Sequence, residues 1–172
     1  MLEIIIISVL ACIISILTFF SGFGLGTLLT PVLLIFFPAE YAIAITGIVH
    51  LVNNIFKWTL VRKSIKWPTV YRFGIPAILA AFIGAYLLFY FKDLNINYQY
   101  SLFNLSIEQN FLKLLISLLL LAFAIIELIP QTKNLKFDIK WLPLGGFLSG
   151  FFGGLTGVQG ALRSAFLIKT NL

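Results

Sequence analysis

The chain has 172 residues, of which 60% are hydrophobic, 16% aromatic and only 10% charged. With a mean hydropathy of +1.06, it has too little polar surface to form a soluble globule. Twelve basic residues outnumber six acidic residues and give a net charge of +6. Because the basic residues flank apolar stretches, this charge is typical of membrane topology and argues against a nucleic-acid-binding surface.

Six apolar stretches follow one another and predict an all-α fold, a polytopic bundle of transmembrane helices. They cover residues 4–20, 27–37, 41–56, 73–91, 111–129 and 141–168. The longer ones reach the ~20 residues that cross a hydrocarbon core of ~30 Å. The first stretch is interpreted as a retained span rather than a signal peptide, because no basic residue precedes it. The only cysteine, Cys12, lies within it, so no disulfide is expected.

The second stretch is too short to cross a membrane as one helix. Residues 27–37 would span about 16 Å as an α-helix. Pro31 adds a kink to this stretch, and Pro38 ends it. Three interpretations stay open: a half-helix that starts at a glycine break, an arm of a re-entrant hairpin, or the continuation of a long tilted segment.

The basic residues predict the orientation of the central spans. Five of them lie between the third and fourth stretches with no acidic residue among them: Lys57, Arg62, Lys63, Lys66 and Arg72. The positive-inside rule places this loop in the cytoplasm. The loop of residues 92–110 is then external. A second basic loop returns to the inside with Lys133, Lys136 and Lys140, whereas the side of the N-terminus stays open.

Two glycine-rich segments, residues 20–27 and 150–160, interrupt the apolar sequence. Glycine weakens a helix interior by roughly 1 kcal/mol relative to alanine, and broken backbone in lipid must be covered by protein or by water. We therefore expect helix breaks at the glycines of both segments: Gly22, Gly24, Gly26, Gly153, Gly154, Gly157 and Gly160. Interrupted helices at corresponding places of two halves indicate a transporter's binding site.

An overlay of the two glycine-rich segments predicts two related halves. A shift of 135 residues (157 − 22) places Gly157 on Gly22. The predicted organisation is a first transmembrane repeat in residues 1–91, an outer loop, connecting helix and cytoplasmic loop in residues 92–140, and the start of a second repeat in residues 141–172. The counterpart of residues 38–91 is missing, so we expect the second half to be incomplete and the chain to be truncated.

Polar side chains lie along one face of the third stretch. Within an arc of about 100° lie Thr46, His50, Asn53, Asn54 and Lys57. One interpretation is a cavity lining, with His50 as the one side chain whose ordinary pKa suits a proton switch. The other is hydrogen bonding between helices, with Lys57 reaching the cytoplasmic surface.

A second polar pair follows the second glycine-rich segment. Gln159 and Arg163 are four residues apart, so a helix would place them on one face. A cation beside a glycine break, where a helix start exposes free N–H groups, is suited to a small anion. The competing interpretation places Arg163 at the membrane boundary, reaching toward water. Glu127, near Pro130, is interpreted as interfacial rather than as a proton carrier. The predicted substrate-binding residues are His50, Asn53, Asn54, Gln159 and Arg163.

No enzyme, cofactor or metal site is predicted. The sequence has one histidine, no acidic cluster at metal-ligand spacing and no Walker-type glycine loop. Ser149 or Ser164 could pair with His50 in an intramembrane hydrolase, but neither serine lies in a nucleophile motif. We therefore expect a membrane protein that is not an enzyme.

The two glycine-rich regions resemble the signatures of the sulfite exporter TauE/SafE family. The first resemblance covers residues 20–31, 37–38, 42–46 and 49–57, and the second covers residues 145–166. It implies a bacterial inner-membrane permease built from two related halves, with export of sulfite, sulfoacetate or related organosulfur anions. The family's three successive glycines are replaced here by Gly24-Leu25-Gly26 and Gln159-Gly160-Ala161, which weakens a specific assignment of sulfite.

The leading hypothesis is a secondary transporter that moves a small anion, such as sulfite or an organosulfonate, by alternating access between its two repeats. Its expected partners are the lipid bilayer and the anion, with protons as the candidate coupling ion. The alternative is a non-transporting membrane protein or a non-functional, truncated remnant of such a permease. The substrate, the direction of transport and the oligomeric state stay open.

Overall fold

The structure, a computed structural model, describes residues 8–10, 12–14, 16–17, 25–94, 96–102, 105–129 and 138–167. Its delimited α-helices are α1 (Leu25–Phe36), α2 (Ala39–Val61), α3 (Trp67–Asp93), α4 (Phe111–Leu128), α5 (Leu142–Thr156) and α6 (Gly160–Leu167). Short 3-10 helices, Arg62–Ser64 and Ile139–Trp141, precede α3 and α5. A hairpin of β1 (Asn97–Leu102) and β2 (Leu105–Asn110) connects α3 to α4. The predicted all-α transmembrane fold is confirmed.

Three helices are long and apolar enough to cross a membrane, as judged by length and composition. The three spans are Ala39–Leu60, Trp67–Asp93 and Phe111–Leu128, which belong to α2, α3 and α4. Large apolar side chains cover their outer faces. On α3, for example, Ile78, Phe82 and Tyr86 are between 60% and 71% exposed. An apolar surface of this extent requires lipid, not water, around the bundle.

The described part of the second stretch forms helix α1. Its 12 described residues span about 18 Å, less than the thickness of the hydrocarbon core. Pro31 lies inside α1, and Pro38 precedes the first turn of α2. One face of α1 packs in an apolar cluster that contains Ile14, Leu25, Leu29, Leu33 and Ala42. Residues 18–24, which would distinguish a half-helix from a hairpin arm, lie outside the described part of the chain.

Helices α3 and α5 pack backbone against backbone along a row of glycines. Gly146, Gly150 and Gly154 recur every four residues on one face of α5. A methyl group on each would collide with a carbonyl of α3, in order those of Phe73, Ala77 and Ala81. Because the residue numbers of the contacting pairs increase together along α5 and α3, the two helices run in the same direction. Small residues at this spacing allow membrane helices to approach closely.

The last apolar stretch forms a helical hairpin instead of a single span. α5 ends at Gly157, whose φ of 74° lies in the left-handed region and whose N–H donates to Gly153 O at 2.9 Å. The side chain of Gln159 lies against Gly153, near the end of α5. Farther along, Phe166 packs on Gly145, near the start of α5, so α6 runs back along α5. With 15 residues, α5 spans about 22 Å, which is less than the thickness of the hydrocarbon core.

The expectation of helix breaks at Gly153 and Gly154 is wrong. Both residues lie inside α5, which continues to Thr156. Gly154 lies against the carbonyl of Ala81 in α3, and Gly153 faces the hairpin's returning chain. These two glycines allow close packing of neighbouring backbone, and the break itself lies one turn later, at residues 157–159.

The loop between α3 and α4, predicted to be external, contains a β-hairpin that was not expected from the sequence. Its strands pair antiparallel, from Asn97 opposite Asn110 to Leu102 opposite Leu105. At the open end, Asn110 Nδ2 donates to Asn97 Oδ1 at 3.0 Å. The Oδ1 of Asn110 also accepts from the N–H of Leu112 at 2.9 Å, which caps α4. One asparagine therefore ends a strand and starts a transmembrane helix.

The main apolar cluster joins α2, α3, α4 and the α5 to α6 hairpin. Its buried members are Ala39, Ile43, Leu88, Leu112, Ile116, Leu120, Phe123, Leu155 and Val158. The members from the starts of α2 and α4 lie at the end of the bundle that carries the β-hairpin, whereas Val158 lies at the tip of the helical hairpin. The cluster therefore lies between that end of the bundle and the polar residues around the helical hairpin.

Candidate functional site

The two glycine-rich segments meet at the centre of the bundle. Gly26 lies in the first turn of α1, and a methyl group on it would lie 3.2 Å from the Cα of Val158. The same methyl group would touch the carbonyl oxygen of Gly157. The start of α1 therefore lies directly on the tip of the α5 to α6 hairpin. Gly22 and Gly24 lie outside the described part of the chain.

The contact places the start of α6 beside the described part of α1. α6 begins at Gly160, two residues after Val158 at the hairpin tip. The first N–H groups of an α-helix have no partner within it, and the helix dipole adds positive potential there. The start of α6 therefore favours a negatively charged ligand.

His50 lies beside this contact with an unsatisfied nitrogen. Its Nε2 would be 3.1 Å from a methyl group on Gly26. The side chain is only 8% exposed, and no hydrogen-bond partner for Nε2 is found among the described residues. Burying a polar group in this way costs about 1–3 kcal/mol. An unsatisfied group in a native fold therefore calls for a functional explanation.

A cavity of about 350 Å³ opens next to His50. It is lined by Ile43, Gly47, His50, Leu51, Asn54, Gly153, Gly154, Gly157 and Gln159. Three of the predicted substrate-binding residues, on two separate elements, thus share one cavity. None of the described residues that line it carries a carboxylate, so nothing in this lining repels an anion.

The other two predicted residues, Asn53 and Arg163, are not among those that line the cavity. Both are partly buried. Asn53 precedes the cavity-lining Asn54 by one position on α2, which turns its side chain about 100° away from that of Asn54. Arg163 lies one turn into α6, where its N–H donates to Gln159 O at 2.9 Å. Its charge and that of Lys57 are close enough to act on His50.

Buried hydroxyl groups support the broken backbone from both sides. Thr30 Oγ1 donates to Thr46 Oγ1 at 3.3 Å, and Thr46 Oγ1 donates to Ala42 O at 2.9 Å. A methyl group on Gly157 would lie 3.2 Å from Thr30 Oγ1, so this pair also packs against the hairpin tip. Thr46 was expected on the polar face of α2, whereas Thr30 was not predicted. The available signal was a polar residue directly before Pro31, inside the apolar stretch of residues 27–37.

The tip of the hairpin is held by side chains of α5. Ser149 Oγ donates to Gln159 O at 3.3 Å, and Thr156 Oγ1 donates to Phe152 O at 2.7 Å. The N–H of Val158 in turn donates to Thr156 Oγ1 at 3.2 Å. These contacts satisfy backbone groups that the end of α5 leaves open, which is the condition for broken helices in a membrane. Ser149 thus has a structural contact at the position where a nucleophile was considered.

Comparison with known proteins identifies one family. The model of the sulfite exporter TauE/SafE family matches residues 7–171, which is almost the whole chain. No curated protein and no solved structure matches it. The matched region includes the three helices that can cross a membrane and both glycine-rich segments. The chain therefore belongs to the sulfite exporter TauE/SafE family of membrane transport proteins.

Proposed function

We propose that the chain is part of a secondary transporter for a small anion, such as sulfite or an organosulfonate, in a bacterial inner membrane. The observation that carries this proposal is the buried, unsatisfied Nε2 of His50 beside the contact of the two glycine-rich segments. A transported ligand that binds there would satisfy this atom and the free N–H groups at the start of α6.

The charges around the cavity support an anion as the ligand. Lys57 and Arg163 both act electrostatically on His50, while the described cavity lining has no carboxylate. Asn54 on α2 and Gln159 at the hairpin tip supply amide donors to the cavity. Its volume of about 350 Å³ equals roughly ten water molecules, so a small oxyanion fits together with part of its hydration shell.

The packing of the surrounding helices supports alternating access. α3 and α5 are in close backbone contact through their glycine row, whereas α1 packs on α2 through the side chains of an apolar cluster. The cavity lies between α2 and the α5 to α6 hairpin. A movement of α1 and α2 against α3 and α5 would rearrange the main apolar cluster, which joins α2 to these helices, and would open the cavity to either side in turn. Protonation of His50 is the proposed means of coupling.

The test is sulfite flux into membrane vesicles that contain the complete protein. His50→Gln keeps the volume approximately and removes the titratable nitrogen, and Arg163→Ala removes one of the two cations that act on His50. His50→Gln is expected to lower the initial rate by about tenfold or more, the loss of a hydrogen bond to a charged ligand. Arg163→Ala is expected to lower the rate through the loss of positive charge near the cavity. Thr59→Ala is the matched control, because Thr59 lies on the same helix, is exposed, and its hydroxyl donates to Phe56 O at 2.6 Å. Unchanged flux in both site variants would refute the assignment of this cavity as the binding site.

A further inference from the structure

A second polar cavity lies at the outer end of the bundle. Its volume is about 400 Å³, and it is lined by Pro38, Ala39, Glu40, Lys92, Asp93, Asn110, Leu112 and Lys113. These residues come from the start of α2, the end of α3 and the start of α4. With the loop between α2 and α3 in the cytoplasm, all three positions lie on the external side. We call this space the outer cavity.

Two lysines face the outer cavity with donor capacity to spare. Lys92 Nζ lies 3.1 Å from Glu40 Oε1 in an ion pair. The Lys92 side chain is 43% exposed and the Glu40 side chain only 14%, so the lysine is the accessible member of the pair. Lys113 Nζ donates to Leu34 O over a long 3.4 Å. An ammonium group has three N–H donors, and each of these contacts uses one.

One face of α2 connects the outer cavity to the cavity of about 350 Å³ beside His50, which we call the central cavity. Glu40, Ile43, Gly47, His50 and Asn54 follow at intervals of three and four residues, so they form a single stripe. The first of them lines the outer cavity, and the other four line the central cavity. From Glu40 to His50 the helix rises about 15 Å.

A single apolar layer separates the two cavities. Ala39 and Leu112 line the outer cavity, and Ile43 lines the central one. All three belong to the same buried cluster, with Ile43 only 7% exposed. A ligand that moves along the stripe therefore has to pass this layer, and it would bind in the outer cavity before doing so.

We propose that the outer cavity is the external anion-binding site of the transport pathway, and that Lys92 exchanges Glu40 for the passing anion. This inference rests on the proposed transport function. Glu40 is a tethered carboxylate that competes with the anion for Lys92, so it keeps the lysine neutralised when no substrate is present. It also keeps external binding weak enough for release, as transport requires. Lys113 is the second cation of the site, and Asp93, which also lines the outer cavity, is its second carboxylate. Two lysines and two carboxylates balance in charge, so loss of the Glu40 charge leaves the lining net positive.

Competition predicts opposite effects for the two members of the ion pair. If Glu40 competes with the anion, Glu40→Gln frees Lys92 and strengthens external binding, whereas Lys92→Gln weakens it. An ion pair that only stabilises the fold would be broken equally by either change. The external sulfite concentration that gives half-maximal flux would then change in the same direction in both variants. Lys140→Gln is the matched control, because it breaks the exposed ion pair of Lys140 with Asp138 at 3.2 Å, outside both cavities.

The first measurement needs no transport. Pro38→Cys places a thiol at the exposed edge of the outer cavity, in a background with Cys12→Ser. Intact cells are treated with two impermeant methanethiosulfonate reagents of similar size, one with a sulfonate and one with a quaternary ammonium group. Glu40 and Lys92 line the same cavity as residue 38, and loss of a unit charge at a separation of several ångström changes a rate in water by roughly twofold to fourfold. The ratio of sulfonate to ammonium labelling is expected to fall with Lys92→Gln, rise with Glu40→Gln and stay constant with Lys140→Gln.

The second measurement is the external sulfite concentration that gives half-maximal flux into right-side-out vesicles. Lys92→Gln is expected to raise it by about tenfold, and Glu40→Gln is expected to lower it. Changes in the same direction in both variants, or labelling ratios that do not respond to them, would overturn the proposal. If the ratios respond as expected and the wild type moves no sulfite, the transport function fails while the anion preference of the outer cavity is supported.

Discussion

Glycines have different roles in the two closest backbone contacts of the molecule. Between α3 and α5, Gly146, Gly150 and Gly154 all have ordinary helical geometry, and the contact is apolar and fully packed. Between α1 and the hairpin tip, Gly157 has a positive φ, and the contact leaves an unsatisfied nitrogen and a cavity beside it. The comparison teaches that glycine alone does not indicate a binding site. The proposed binding site is distinguished by a left-handed glycine next to buried polar groups.

The largest expected effect is on the packed contact. Gly150→Ala places a methyl group against the backbone carbonyl of Ala77, which cannot move without shifting α3. We expect it to lower the free energy of unfolding by at least about 2 kcal/mol, measured by thermal denaturation in detergent. Gly74→Ala on α3 is the control, because no atom lies within 4 Å of its methyl group. That change is expected to raise stability by up to about 1 kcal/mol. Equal stability of the two variants would contradict the close packing of α3 on α5.

A smaller effect is expected at the hairpin tip. Gly157→Ala forces a side chain into the left-handed region, at a cost of about 1–2 kcal/mol. Gly47→Ala is the control, because Gly47 lines the same cavity with open space around it and helical geometry. Thermal denaturation should show a loss for Gly157→Ala and no loss for Gly47→Ala. A Gly157→Ala protein as stable as the control would mean that the tip does not need its left-handed turn.

The smallest effect separates two neighbouring asparagines on α2. Asn54 lines the central cavity and Asn53 does not, although both are partly buried. Asn54→Ala is expected to raise the half-saturating sulfite concentration by about threefold to tenfold, the loss of one hydrogen bond. Asn53→Ala should leave that concentration unchanged within error. The reverse order would place the ligand on the other side of α2.

Much of the site could be anticipated from the sequence because polar residues in an apolar stretch are easy to recognise. His50 and Asn54 were identified by helical spacing alone, and Gln159 by its place after the second glycine segment. Spacing could not distinguish Asn53 from Asn54, since the two differ by one position and only neighbouring helices decide which side is open. It also missed Thr30, whose partner Thr46 lies 16 residues away on another helix.

The fold, too, has features that the sequence predicts and features that depend on contacts between helices. Hydropathy predicted the spans of α2, α3 and α4, because an apolar helix must be long enough to cross the hydrocarbon core of the membrane. It could not predict that the stretch of residues 141–168 turns back as a hairpin, or that Gly153 and Gly154 stay helical. Those outcomes depend on Phe166 returning to Gly145 and on α3 lying against α5.

The sequence by itself determined the membrane environment, the three long spans and the chemistry available at the centre, because these depend on composition and on local periodicity. Only the tertiary structure decided which glycines break a helix, that the two glycine-rich segments touch, and that the stripe on α2 runs through two cavities. The physical reason is that these properties arise from contacts between residues far apart in the chain. Gly26 and Gly157 acquire their shared role only when the packing of α1 against the hairpin brings their backbones together.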